Sequence, residues 1–239
     1  MPSNVALTGL AKELEARAES GKPIRIGLIG SGEMGTDIVS RASLMSGIEV
    51  AAIADVRAEN ATSAVDIAFG GKGFSKEVET TDGLNAAIED GKVGVVNDAN
   101  FLLESGLIDV VIEATGLPCV GAELGLKAMK RGKHLVMMNV EADITIGSYL
   151  KTQAEKLGVV YSLGAGDEPS SCMELIEFVS AMGHKVVSAG KGKNNPLNFD
   201  ATPNEYQAEA DYRNMNSRML VEFVDGSKTM VEMAAIANA

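Results

Sequence analysis

The sequence predicts an α/β protein: a doubly wound parallel sheet, followed by the start of a second, α+β domain. Three observations carry this. Short apolar runs rich in Val, Ile and Ala alternate with helical patterns from Ile24 to Leu163, the signature of a parallel sheet covered by helices. The first run, Ile24 to Ile29, leads into Gly30, Gly32 and Gly35, and a helical segment, Thr36 to Ala42, follows. From Gly164 onward the alternation gives way to Gly-, Asn- and Lys-rich stretches.

Each element has its own local reason. Leu7, Leu10, Leu14 and Ala18 predict an amphipathic helix over residues 3–19, stopped by Gly21 and Pro23. This helix packs outside the fold or on a partner subunit. Ile24–Ile29 reads as a buried parallel strand. The three glycines that follow have distinct uses: Gly30 for a tight turn, Gly32 for close approach of a pyrophosphate, and Gly35 for helix–strand packing. Ser31, Glu33 and Met34 complete a loop at a helix N-terminus, where free N–H groups attract phosphate. Strand, glycine loop and helix together make a Rossmann dinucleotide fingerprint.

The second strand, Ile48 to Ala54, ends at Asp55, twenty residues after Gly35. An acid there can accept from the adenosine ribose hydroxyls of NAD, whereas Arg57 can pair with the 2′-phosphate of NADP. The bland alternative for Arg57 is a solvated surface charge. Residues 61–69 and 81–89 read as helices around a Gly70–Gly73 loop, 93–96 as a short strand and 98–105 as a helical turn. Leu107 to Ala114 is a strand closed by Thr115-Gly116. Since ligands sit at the carboxyl ends of such strands, Ala114, Thr115 and Gly116 are expected along the cofactor. After a helix over 122–131 comes a strand over 134–139. Asn139 and Glu141 lie at its productive end, while His134 opens it and reads as structural. A helix over 146–157 and a strand over 159–163 complete the pattern.

Composition bounds the function. The chain has 239 residues, of which 46% are hydrophobic, enough for a sizeable core. Its net charge of −12 argues against nucleic acid or an anionic membrane as partner. No apolar run is long enough to span a bilayer, and the N-terminus lacks a signal-peptide pattern. Cys119 and Cys172 have no metal-type spacing and read as reduced thiols, so a cytoplasmic protein is expected. The predicted organisation is an N-terminal helix over 1–22, a dinucleotide-binding domain over 23–164, and a substrate domain beginning at 165. The absence of a closing element near Ala239 suggests that this last domain is incomplete.

The chemistry of the second region is read from two stretches. Asp167 and Glu168 sit between a strand and a helix expected over 170–182. They can orient a hydroxyl, exchange protons or bind a divalent cation, or simply cap the helix. Lys185 to Ala189 is expected to be a strand running into Gly190-Lys191-Gly192-Lys193-Asn194-Asn195-Pro196. In extended chain, residues two apart project together, so Lys191 and Lys193 are expected to form a paired basic site for a phosphate, a carboxylate or a carbonyl oxygen. An exposed polar loop is the alternative. Asn195 and Asp200 are further catalytic candidates, residues 219–224 read as a strand, and residues 228–237 as a strand or a helix.

The Gly30–Gly35 fingerprint, Ile112-Glu113-Ala114-Thr115-Gly116, Asn139-Val140-Glu141 and the Gly164–Pro169 turn resemble the homoserine dehydrogenase-like oxidoreductases. With Lys191-Gly192-Lys193-Asn194-Asn195-Pro196, the chain is most similar to their deoxyxylulose phosphate reductoisomerase-like branch. That resemblance implies NADPH-dependent conversion of deoxyxylulose phosphate to methylerythritol phosphate, in isoprenoid biosynthesis, by a homodimer. It covers only the N-terminal part of such an enzyme. One departure counts against homoserine as substrate: homoserine dehydrogenases usually carry Asn-Lys where this chain has Asn139-Val140. The leading expectation is an NADP(H)-dependent reductase of a small phosphorylated ketone, with Mg or Mn as a further candidate cofactor. Rival readings are a homoserine-type or other hydroxy-acid NAD(P) dehydrogenase, and an NADP sensor without chemistry.

Overall fold

The computed structural model describes residues 7–213 and 216–239. Residues 3–6 of the expected N-terminal helix lie outside them. The chain divides into two compact units. One holds the described residues up to Ala142 together with Tyr149–Ser162; the other holds Asp143–Ser148 and Leu163–Ala239.

The first unit is the parallel sheet with its helices. In chain order it runs α1 (Gly9–Glu19), β1 (Ile24–Ile29), α2 (Glu33–Ala42), β2 (Ile48–Ala54), α3 (Ala58–Phe69), β3 (Ser75–Glu77) and α4 (Thr81–Glu89). It continues through β4 (Val93–Val96), α5 (Ala99–Glu104), β5 (Val110–Glu113), α6 (Pro118–Lys130), β6 (His134–Met137), α7 (Val140–Leu157) and β7 (Tyr161–Leu163), of which Asp143–Ser148 and Leu163 group with the second unit. The strands form one sheet in the order β3-β4-β2-β1-β5-β6-β7. β1 lies between β2 and β5 and is parallel to both, with Ile29 opposite Ala54 on one side and Glu113 on the other. The reversal of strand order at β1 brings the loops after β1, β2 and β5 to one edge, where a dinucleotide binds in this class of sheet.

Both faces of the central strands are covered, which is why they read as continuous apolar runs. Leu28, Val39, Ile53, Val65 and Val95 form one core cluster. Leu28 and Ile53 are 0% exposed, and burying such a side chain stabilises the fold by about 1.5–3 kcal/mol. His134 opens β6 at the end away from the site, and its Nδ1 accepts from Val160 N at 2.9 Å. This link to the chain entering β7 is a structural use.

Several boundaries differ from the sequence reading. β5 begins at Val110, three residues later than the apolar run, and β3 was not expected at all. α7 begins at Val140 and not at Ile146, because the Asn139 side chain caps it by accepting from Ala142 N at 3.2 Å. The stripe on α1 finds no core: none of its residues is buried, and Leu10 is 70% exposed.

The second unit carries α8 (Glu168–Ala181), α9 (Gln207–Tyr212), α10 (Ser217–Asp225) and α11 (Ser227–Asn238). The strand expected over 185–189 is absent. Residues 184–206 hold neither helix nor strand, and Val187 is 89% exposed, without the ladder or the burial that stabilises a strand. The strand expected over 219–224 is also absent. That run is α10, which buries Leu220 and Val221, because its apolar residues suit a helical face as well as a strand. α8 packs on α11, and α11 on α10.

Candidate functional site

Two constellations stand out, one in each unit. The first lies at the carboxyl ends of β1, β2, β5 and β6. Gly30 has φ +92°, and a Cβ there would lie 2.7 Å from Ala114 O. Only glycine combines that backbone with so close an approach of the β5 loop. A Cβ at Gly35 would lie 2.2 Å from Gly30 O, so α2 rests directly on the turn. Gly32 is the contrast: nothing lies within 4 Å of its missing side chain. It caps α2 in extended conformation with no side-chain hydrogen bond to the helix N-terminus. This is open space over backbone donors, as a pyrophosphate requires.

Around the turn, Ser31 is 4% exposed while Met34 is 55% exposed, and Glu33 lies in the first turn of α2. Asp55 Oδ2 accepts from Ser31 N at 2.8 Å and from Ser31 Oγ at 2.7 Å, and Oδ1 accepts from Arg57 N at 3.0 Å. With the Asn60 amide oxygen turned towards it, the Arg57 guanidinium donates through Nε at 3.1 Å and Nη2 at 2.9 Å. Asp55 thus braces the glycine loop, and Arg57 is held on the first turn of α3.

On the β5 side, Ala114 N donates to Ile29 O at 2.8 Å and Gly116 turns the chain at φ +68°. Glu113, the last residue of β5, has a role that its place in the sequence did not reveal. It is 0% exposed and accepts from Thr115 N at 2.9 Å and from Thr115 Oγ1. Burial pushes its carboxyl up, against the Thr115 hydrogen bonds and the Asn139 amide, which favour the charged form. The Asn139 amide faces the carboxyl closely enough to favour its charge, but Glu113 Oε2 and Asn139 Nδ2 do not meet in a well-formed hydrogen bond. Gly121 of α6 packs against both: a Cβ there would lie 2.5 Å from Glu113 Oε2 and 3.1 Å from Asn139 Nδ2. A charged residue inside an otherwise apolar strand was the available signal. Asn139, 2% exposed, is engaged as the cap of α7, and Glu141 lies in that helix's first turn. A cavity of about 540 Å³ between Ala58, Thr80 and Asn97 contains none of the residues singled out from the sequence.

The second constellation belongs to the second unit. Asp167 is the N-cap of α8, although its side chain makes no capping hydrogen bond, and Glu168 is the first helical residue. Lys191 Nζ donates to Glu168 Oε1 at 2.7 Å and, closer still, to Glu232 Oε2. Glu232, on α11, is 2% exposed and was missed in the sequence, where one acid in an apolar helix was its only mark. Burial, with a hydrogen bond to Glu168, pushes the Asp167 carboxyl up to about 6. The hydrogen bonds from Asp167 and Lys191 hold Glu168 down at about 2. Burial works against the charge on Lys191, but its bonds to Glu168 and Glu232 outweigh it and raise the ammonium above its ordinary value. Two adjacent carboxyl groups with pKa values driven apart are the usual mark of assigned proton roles.

The paired basic site expected from Lys191 and Lys193 is corrected. Without a strand, the spacing of two no longer aligns them. Lys193 Nζ lies 5.9 Å from the Phe223 ring centroid, while Lys191 is bound to two carboxylates. Asn195 is also committed, donating to Pro196 O at 3.0 Å and Phe223 O at 3.3 Å, and Asp200 is exposed in a turn. The Asp167, Glu168 and Glu232 carboxylates each offer an oxygen within 4.8 Å of the others, a hard donor set of the kind Mg or Mn takes. Lys191 Nζ, however, engages two of these three groups. As arranged, the residues do not fit a divalent ion.

The first constellation defines a class: a Rossmann domain whose glycine turn is built for a dinucleotide. Residues 26–164 match the family described as the NAD-binding domain of homoserine dehydrogenase, and residues 166–239 match the catalytic domain of oxidoreductase DRL. The chain belongs to the first of these families, and so to the oxidoreductases with a homoserine dehydrogenase-like NAD-binding domain. Among solved structures it is similar to an NAD-binding oxidoreductase from Klebsiella pneumoniae (20% identity, TM-score 0.44, covering 67% of this chain and 39% of that one). It is also similar to KijD10, a 3-ketoreductase from Actinomadura kijaniata, in complex with NADP (21%, TM-score 0.44, 67% and 43%). A third is the WlbA dehydrogenase from Bordetella pertussis in complex with NADH and UDP-GlcNAcA (17%, TM-score 0.45, 67% and 42%). The chain spans about two-fifths of the length of these structures. No curated protein matches it. Among the described residues no helix is long and apolar enough to cross a membrane.

Proposed function

We propose that the chain is the dinucleotide-binding and proton-handling part of an NADP-dependent oxidoreductase that interconverts a small hydroxy compound and its ketone. The observation that supports this most is the open space over Gly32 at the start of α2, where no side chain takes up the helix N–H groups. The pyrophosphate would be held by the loop from Gly30 to Gly35, with Ser31, Glu33 and Met34 around it. Arg57 would take the 2′-phosphate, since Asp55 already accepts three protein hydrogen bonds. Ala114, Thr115, Gly116, Asn139 and Glu141 would border the nicotinamide half. When bound, NADPH supplies the hydride.

The roles proposed for the second unit follow from its hydrogen bonds. An ammonium has three N–H donors, and Glu168 and Glu232 take two from Lys191. The third is free to donate to a carbonyl oxygen and to stabilise the alkoxide that forms there. Asp167, held up to about 6, can pass a proton to that oxygen or recover it in the reverse direction. Lys193, Asn195 and Asp200 are weaker candidates for contact with the substrate. We assign no step to a divalent cation.

A reductoisomerase acting on deoxyxylulose phosphate is the second reading. It is favoured by the Lys191–Pro196 segment and by Val140 in the place of the homoserine dehydrogenase lysine. Its rearrangement needs a hydroxyl proton removed, which suits Asp167. A homodimer is part of this reading.

The test is NADPH oxidation by the full-length polypeptide. Deoxyxylulose phosphate, homoserine's aldehyde partner and a panel of 2-keto acids are offered in turn, with NADH as control. Turnover of a keto acid or the aldehyde supports the dehydrogenase reading, and turnover of deoxyxylulose phosphate the reductoisomerase. Dinucleotide binding with no turnover on any of them overturns both in favour of a sensor. Lys191→Ala should lower kcat by about 100-fold, the usual effect of removing a donor to a developing oxyanion; less than a twofold loss rejects its role.

A further inference from the structure

We infer that Glu232 is a positioning residue: from inside α11 it holds the Lys191 ammonium in one place and aims its remaining N–H bond. The inference deepens the function proposed above and rests on the role given there to Lys191.

Lys191 sits on a stretch without regular structure, residues 184–206, so no backbone ladder fixes where its side chain points. Its location must come from side-chain partners. Glu168 is one, but its side chain is half exposed, and water competes for it. Glu232 is the other, and it differs in kind: it is 2% exposed and carried on a helix packed against α8 and α10. Glu232 and Ala235, one turn apart, are the buried residues of α11, and a carboxylate so placed opposes folding unless a counter-charge meets it. Lys191 is that counter-charge. The bond therefore runs from a rigid element to a loose one, as a positioning contact should. The Lys191 side chain remains 19% exposed, so the ammonium is anchored on one side and reachable on the other. The charged groups around it are Glu168 from α8 and Glu232 from α11, with Asp167 one step away through Glu168 and Lys228 of α11 acting on Asp167.

The test uses Glu232→Gln and Glu232→Asp in the full-length protein, with two readouts. The first is the rate at which acetic anhydride modifies Lys191 across a pH series, read by mass spectrometry of its peptide. The second is steady-state NADPH oxidation with whichever of the named substrates the wild type reduces. Glu232→Gln is expected to raise Lys191 modification by about tenfold, because the ammonium loses a carboxylate that favours its charged, unreactive form. It should lower kcat by about tenfold, leave the KM for NADPH unchanged and draw in the alkaline limb of the pH–rate profile. Glu232→Asp should restore part of each. Wild-type labelling and kcat in Glu232→Gln overturn the inference. If that variant does not fold, Glu232→Asp decides by the same two readouts, because it keeps the charge and withdraws it by one methylene. If Lys191→Ala itself retains turnover, the reading of the site has failed, and the labelling rate alone decides whether Glu232 anchors Lys191.

Discussion

Asp55 accepts two hydrogen bonds from Ser31 on a single oxygen, one from the backbone N–H at 2.8 Å and one from the hydroxyl at 2.7 Å. The acid that would meet an adenosine ribose is therefore already part of the glycine loop. Arg57, whose guanidinium meets Asn60, is the residue to which the proposed function gives the choice between dinucleotides.

Cofactor choice should follow. Arg57→Ala is expected to raise the Kd for NADPH by about 10–100-fold, the loss of a charge-assisted contact to phosphate, with little change for NADH. Ser31→Ala keeps the backbone bond but frees acceptor capacity on Asp55, and should shift the preference towards NADH. Fluorescence titration with both dinucleotides checks this. Equal effects of Arg57→Ala on the two would show that the 2′-phosphate lies elsewhere.

The glycines should separate folding from binding. Gly35→Ala sets a methyl 2.2 Å from a backbone oxygen and should destabilise the fold by about 1–3 kcal/mol or more through overpacking. Gly32→Ala meets nothing within 4 Å, so its unfolding midpoint should stay near wild type while dinucleotide affinity falls. Normal affinity in Gly32→Ala would mean the phosphates do not pass over this residue.

Glu113 should prove structural to the β5 loop. Glu113→Ala leaves the half-buried Thr115 N–H without its acceptor and is expected to cost about 1–3 kcal/mol of stability. Glu113→Gln keeps an acceptor and should cost less. Urea denaturation of the two variants measures the difference, and equal losses would remove the Thr115 bonds as the cause.

The acid pair at the start of α8 should tune stability with pH in opposite directions. Asp167 is raised from 3.8 to about 6. Between these values the folded chain holds a proton that the unfolded chain has lost, so its contribution to stability declines as pH rises through that window. Glu168 is lowered from 4.5 to about 2. Its contribution is complete above its unfolded value and is lost as pH falls towards 2. Asp167→Asn removes the first effect, so its stability relative to wild type should increase from about pH 4 to about pH 7. A difference that stays flat across that range in urea titrations would place Asp167 in an ordinary solvated setting.

The sequence by itself determined most of the first unit. The apolar run over Ile24–Ile29 and the glycine spacing act over short stretches of chain, and each needs only its local backbone and a buried sheet around it, whereas the bond from Ser31 to Asp55, 24 residues on, needed the sheet to form. The place of His134 at the end of β6 away from the glycine turn likewise follows from strand direction alone. Tertiary structure decided the rest. Leu220 and Val221 sit in a short apolar run that suits a strand or a helix, and only packing against neighbours chose the helix α10. Chain spacing pairs Lys191 with Lys193, yet its partners are Glu168 and Glu232, 23 and 41 residues away. An ion pair leaves no periodic trace in the sequence, because it depends on which distant segments the fold brings together. Glu232 was hidden for that reason: one acid in an apolar helix acquires meaning only when burial denies it water and Lys191 supplies the opposite charge.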